Sequence, residues 1–242
     1  MRDTIVIAYC GPGAVPGDLL TRWNFDPLVI AAIVGLAIVI ARGRVANARA
    51  GWGALALLAT IFVSPLCALS SALFSVRVLH HVLLVAAAAP LLALAFPARR
   101  LPLLPLAALV GAHMIILWVW HMPGPYEWGL ANVQAYWLMQ ASLLGSAWLL
   151  WRAILASTTQ VGSALLALVA TIAQMGLLAA LIVFAPRPLY EVHIAGAAAW
   201  GMTALADQQL AGLLMWVPAL LPYLGVGLWL AWVKLQPVEP TA

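Results

Sequence analysis

The sequence predicts an all-α, polytopic bundle of membrane-spanning helices, and three observations predict it. Of 242 residues, 66% are apolar and only 7% are charged, where soluble domains carry about 25% charged residues. The mean hydropathy of +1.06 is higher than the alternating strands of a spanning barrel reach. Basic residues cluster after alternate apolar runs, which is the signature of topology. The net charge of +4 therefore implies no nucleic-acid partner.

Residues 1–26 hold Asp3, Asp18 and Asp26 with Arg2 and Arg22 and lack a long apolar run, which makes them an extramembrane arm. Their prolines, glycines and acids do not form a basic region followed by an apolar core, so no cleavable signal peptide is expected there. A hydrocarbon core of ~30 Å takes about 20 apolar residues per helix. On that ruler seven spans fall near 27–41, 52–70, 74–95, 103–121, 134–155, 161–184 and 208–233. One transmembrane domain then covers 27–234, and 235–242 form a tail. Nothing marks a repeat, a heptad or a linker to a second domain. The small residues Ala86–Ala89 before Pro90 predict close helix packing.

Arg42, Arg44 and Arg49 follow the first span, Arg99 and Arg100 the third, Arg152 the fifth and Lys234 the seventh. The opposite side holds Arg2, Arg22 and Arg187 with Asp3, Asp18, Asp26, Glu127, Glu191 and Asp207. The positive-inside rule puts the N-terminus outside and the C-terminus in the cytoplasm.

That topology gathers the chemically capable residues toward the outer face. His80 and His81 lie about two turns inside the third span, and His121 ends the fourth, followed by Met122 and Pro123. His193 falls in the last outer loop, Asp207, Gln208 and Gln209 open the seventh span, and Cys10 and Cys67 lie in or near the outer side. Two cysteines suffice for one bridge or for two ligands. His80 and His81 are about 100° apart on a helix and cannot face one point. His81 shares its face with Arg77, a costly residue inside the lipid boundary. Arg77 either snorkels to the surface, pairs with Asp207, or stands as a fixed charge beside His81. His113 lies eight residues before His121, ~12 Å deeper, and reads as a buried, hydrogen-bonded structural histidine.

Thiolate, thioether and imidazole suit copper, whereas carboxylate-rich sets suit magnesium or calcium. No HExxH, CxxC, close carboxylate pair or phosphate-cradling loop occurs, so metalloprotease, thioredoxin-like and glycosidase chemistries lack their residues. Trp52, Trp128 and Trp200 fit an interfacial aromatic belt, and Met202 and Met215 serve equally well as apolar filler.

The stretches YCGPGAVPGDLLTRWNFDP at 9–27, HHVLLVAAAAPLLALAFP at 80–97, WHMPGPYEWGL at 120–130, YWLMQASLLGSAWLLW at 136–151 and LADQQLAGLLMWVP at 205–218 resemble the CtaG family. These are seven-span bacterial membrane proteins associated with copper delivery to haem-copper cytochrome oxidase. The family pattern has histidines four apart entering the third span and again on the fifth. The corresponding places here are Arg77 and His81, and Tyr136 and Gln140, so His81 and His121 carry over and the others do not.

The resemblance and the residues together imply an assembly factor of the bacterial inner (plasma) membrane that is not an enzyme. It would hold Cu(I) transiently at its periplasmic face, receive it from a periplasmic copper donor and pass it to a cytochrome c oxidase subunit. The expected metal ligands are His81 and His121 with Cys10 and His193. Arg77, His80, Met122, Asp207, Gln208 and Gln209 are expected around them. The rivals are a haem-binding electron carrier using two of His81, His113 and His121, a small transporter or receptor-like bundle, and a metal-free scaffold for oxidase subunits.

Overall fold

Prolines and side-chain caps start most of the helices in the computed structural model, which describes residues 9–97 and 104–234. Asp26 caps α1 (Pro27–Ala41), its carboxylate accepting from the amides of Leu28 (2.7 Å) and Val29 (3.3 Å), with Pro27 in the first turn where no N–H is needed. Asn47 caps α2 (Ala48–Val63) in the same way. Ser64-Pro65 then bends the chain by 50° into α3 (Leu66–Ala72).

The segment 74–95 runs as one 22-residue apolar span, but in three parts: α4 (Phe74–Val82), a π-helical stretch Leu83–Ala88, and α5 (Ala89–Ala95). Pro90 explains the middle part, because it has no N–H to offer and its ring crowds the preceding turn. The widened turn is stabilised from outside by Trp151, whose indole N–H donates to the Val85 carbonyl at 2.9 Å.

α6 (Leu106–His121) stops at Met122-Pro123, and a 75° bend leads into α7 (Pro123–Ala131). Asn132 caps α8 (Val133–Ile154), and α9 (Val161–Val183) follows. A short 3-10 turn Glu191–His193, α10 (Ile194–Ala199), α11 (Ala204–Trp216) and α12 (Leu220–Lys234) complete the chain. No strand occurs among the described residues.

By length and apolarity, three helical segments can cross a membrane, or five if each bent pair is one span, and α1 is shorter than these. One expected single span, 52–70, is thus kinked at Pro65, while the 75° turn at Pro123 falls where the expected fourth span ends. A proline inside an apolar run changes direction without changing hydropathy, so composition does not register it.

α11 packs on α9 and α4, α6 on α8, and α5 on α2 and α8. Leu166, Leu181, Leu228 and Trp232 point outward, giving an apolar outer surface that fits a lipid surround. The bundle has two unlike ends. The arm end gathers residues 9–26, α3, the start of α4, the end of α6, α7 and residues 184–203. The arginine end gathers the 42–47 turn, the end of α5 and the end of α8.

Candidate metal centre at the arm end

Helical spacing builds this site. Arg77 and His81 are four apart on α4, and Tyr136 and Gln140 are four apart on α8, so each pair occupies one face. The two pairs meet rung by rung: the Arg77 guanidinium carbon lies 5.4 Å over the Tyr136 ring, and Gln140 Nε2 lies 3.4 Å from His81 Nε2. His121, the last residue of α6, brings its ring to 5.9 Å from His81, nearly perpendicular at 77°. All of these side chains are buried.

The arm closes the site from above. Tyr9 stacks on Tyr136 at 4.8 Å and meets Trp137 edge-on at 4.9 Å. Cys10 is bonded to Cys67 in a disulfide that spans 57 residues. Cys10 therefore offers no thiolate in this form.

The polar atoms here are short of partners. His121 Nδ1 donates to the Leu117 carbonyl at 2.7 Å, which leaves the Nε2 lone pair uncommitted. His81 keeps one ring nitrogen without a partner, His80 both, Gln140 its amide oxygen, Tyr9 its hydroxyl, and Arg77 both terminal nitrogens. Buried polar atoms are normally bonded, so this concentration makes the chamber the candidate site. Among the described residues no group of three or more His, Cys, Asp or Glu side chains is placed to hold one ion. The donor set is thus a two-imidazole one beside a fixed positive charge.

Arg77 is fully buried and does not snorkel. It does not pair with Asp207 either: its Nε donates to the Ser70 carbonyl at 3.1 Å, and the ion pair of the described residues is Arg22–Asp18. Asp207 instead accepts from the Phe74 amide (2.7 Å), the Ser75 amide (3.1 Å) and the Ser75 hydroxyl. It thereby caps α4, whose own preceding residue, Leu73, has no side-chain acceptor.

His193 is committed elsewhere. Its Nδ1 donates to the Ala72 carbonyl (3.1 Å), so its Nε2 accepts from the Tyr126 hydroxyl at 2.6 Å. Both nitrogens are used and none is left for a metal. Burial pulls its pKa down to about 4, with the Ala72 bond and the Asp207 charge opposing and Arg77 assisting. Gln208 holds the 182–189 backbone, accepting from the Leu189 amide and donating to the Ile182 carbonyl. Gln209 is exposed, and neither glutamine bonds an imidazole. Met122 is 55% exposed at the bend. His80 turns toward α2, edge-on to Phe62 at 5.2 Å. His113 shares a 2.9 Å hydrogen bond with Ser146.

Tyr126 and Tyr190 were not singled out by the sequence, yet both hold the site. Tyr190 donates to the His121 carbonyl at 2.6 Å, fixing the end of α6, and both rings pack on Phe74. Their one sequence signal is position: Tyr126 follows the His121-Met122-Pro123 break, and Tyr190 precedes His193.

Comparison with curated proteins and with solved structures finds no match. The family model described as cytochrome c oxidase caa3 assembly factor (Caa3_CtaG) matches residues 33–236, and with most of its length covered the chain belongs to that family.

Proposed function

We propose that this protein assists assembly of a caa3-type cytochrome c oxidase in the bacterial plasma membrane by carrying Cu(I). The arm end faces the periplasm, the copper arrives from a periplasmic donor, and an oxidase subunit receives it. The expected topology is seven spans, with the bent pairs and α8 each crossing once. One observation carries this reading: the rings of His81 and His121 converge at 5.9 Å, with the His121 Nε2 lone pair uncommitted, under an arm held down by a disulfide.

Two imidazoles bind copper less firmly than a four-ligand set containing thiolate. The buried Arg77 charge weakens retention of a cation further, since like charges repel strongly in a low-dielectric site. Both features suit a carrier that releases its cargo. No substrate bond needs to break, so the protein acts as a carrier and not as a catalyst.

The test is the copper content of the purified full chain loaded with Cu(I), compared with His121→Ala. The wild type retains copper and the variant loses it. Copper absent from the wild type, or unchanged in the variant, sinks the reading. A visible spectrum of the same sample checks for haem through its Soret band.

A second reading has its own support. The buried Arg77 without a carboxylate partner, and the lack of a third ligand among the described residues, favour a metal-free scaffold for oxidase subunits. In a deletion strain, a scaffold bearing His81→Ala and His121→Ala still restores oxidase activity, whereas a copper carrier does not.

A further inference from the structure

The arginine end carries an open apolar groove that the copper reading does not use. It lies between α5 and α8 and encloses about 670 Å³. Its wall is apolar, with Leu92 and Leu144 among its residues, and Gly145 lines it with open space where a Cβ would stand. At its rim are Arg44, exposed on the 42–47 turn, and Arg152, in the last turn of α8.

The rim is held in place. The Ala46 amide donates to the Ala95 carbonyl at 2.8 Å, which pins the turn to the end of α5. Arg152 Nη2 donates to the Pro97 carbonyl at 3.2 Å, and its guanidinium lies 4.7 Å over the Trp148 ring. That leaves two buried donors, Arg152 Nε and the Trp148 indole N–H, with no acceptor among the described residues. No carboxylate of the described residues pairs with Arg44 or Arg152. An apolar trough thus ends in two positive charges and two unanswered donors at the end of a spanning helix, the depth at which lipid phosphates lie.

We propose that this groove binds one anionic phospholipid, an acyl chain lying between α5 and α8 and the phosphate resting on Arg44 and Arg152. The trough supplies apolar contact for any lipid. The arginines supply the preference for net negative charge, because basic residues gathered between helices at a membrane surface attract anionic headgroups.

Native mass spectrometry of the detergent-purified full chain, offered phosphatidylglycerol and phosphatidylcholine in equal amounts, tests this. The protein retains phosphatidylglycerol in preference. Arg44→Gln and Arg152→Gln each lower that retention roughly fivefold, and Arg44→Lys keeps it. Gly145→Phe fills the trough without changing charge and lowers retention of both lipids. Arg44 is exposed, so its variant folds and remains informative even where Gly145→Phe does not. Equal retention of the two lipids by the wild type, or phosphatidylglycerol retention untouched by Arg44→Gln, overturns the proposal.

Discussion

The two ends of the bundle solve the same problem, how to finish a set of helices at a membrane surface, in opposite ways. At the arm end almost every finishing contact comes from far along the chain. Asp207 caps α4 across more than 130 residues, Tyr190 holds the end of α6, His193 bridges Tyr126 to Ala72, and a disulfide pins the arm. Among the described residues of the arginine end the contacts are fewer, and an open groove lies between α5 and α8. The difference teaches where precision is needed. On the proposed copper reading, two imidazoles must keep a fixed spacing, and their helices are clamped from several sides. An end that meets lipid headgroups and water needs only its charges.

The largest way to break that contrast is Asp207→Ala. It strands two buried amides and a hydroxyl at the start of α4, each worth roughly 1–3 kcal/mol when left unmade. The expected loss is about 2–5 kcal/mol, read as a lower Tm in detergent, with Asp207→Asn milder because its amide oxygen still accepts. A wild-type Tm in Asp207→Ala means that the arm end is not held by this cap.

Acid should loosen the arm end next. With His193 held near 4 in the fold and near 6.5 when unfolded, the unfolded chain takes up a proton as pH falls through that window while the folded chain does not. Stability is then full above pH 6.5 and declines by up to about 3 kcal/mol toward pH 4. Unfolding midpoints measured against pH show this slope, and His193→Gln flattens it. An equal slope in the variant assigns the acid sensitivity to another group.

The smallest effects compare two glycines. A Cβ on Gly196 would sit on the Ala72 carbonyl, whereas one on Gly145 meets nothing within 4 Å. Gly196→Ala is therefore expected to cost about 1–3 kcal/mol by overpacking. Gly145→Ala, inside α8, is expected to gain up to about 1 kcal/mol from helix propensity. Paired thermal melts that give both variants the same sign would show that the two ends are packed alike after all.

Much of the helical layout was legible. The first helix runs over 27–41 as expected because Asp26-Pro27 starts it and Arg42-Gly43 ends it. The expected sixth span, 161–184, appears as Val161–Val183. The breaks were less legible in part: Pro65 interrupts an expected single span, and α7, after the expected stop at Pro123, was not expected as a helix. In the site, α-helical spacing correctly aligned Arg77 with His81. It could not reveal that Arg77 would turn to the Ser70 carbonyl and that Asp207 would turn to α4.

By itself, the sequence determined the helical class, most helix limits among the described residues and the shared helix face of Arg77 and His81. Those depend on apolar run length, caps and the 3.6-residue period, all of which are local. The tertiary structure alone decided which polar groups satisfy one another. Cys10 finds Cys67, His193 bonds Tyr126 and Ala72, and the rings of His81 and His121 come within 5.9 Å of each other. The physical reason is that a buried donor takes whichever acceptor packing brings to it, and here that acceptor stands tens of residues away.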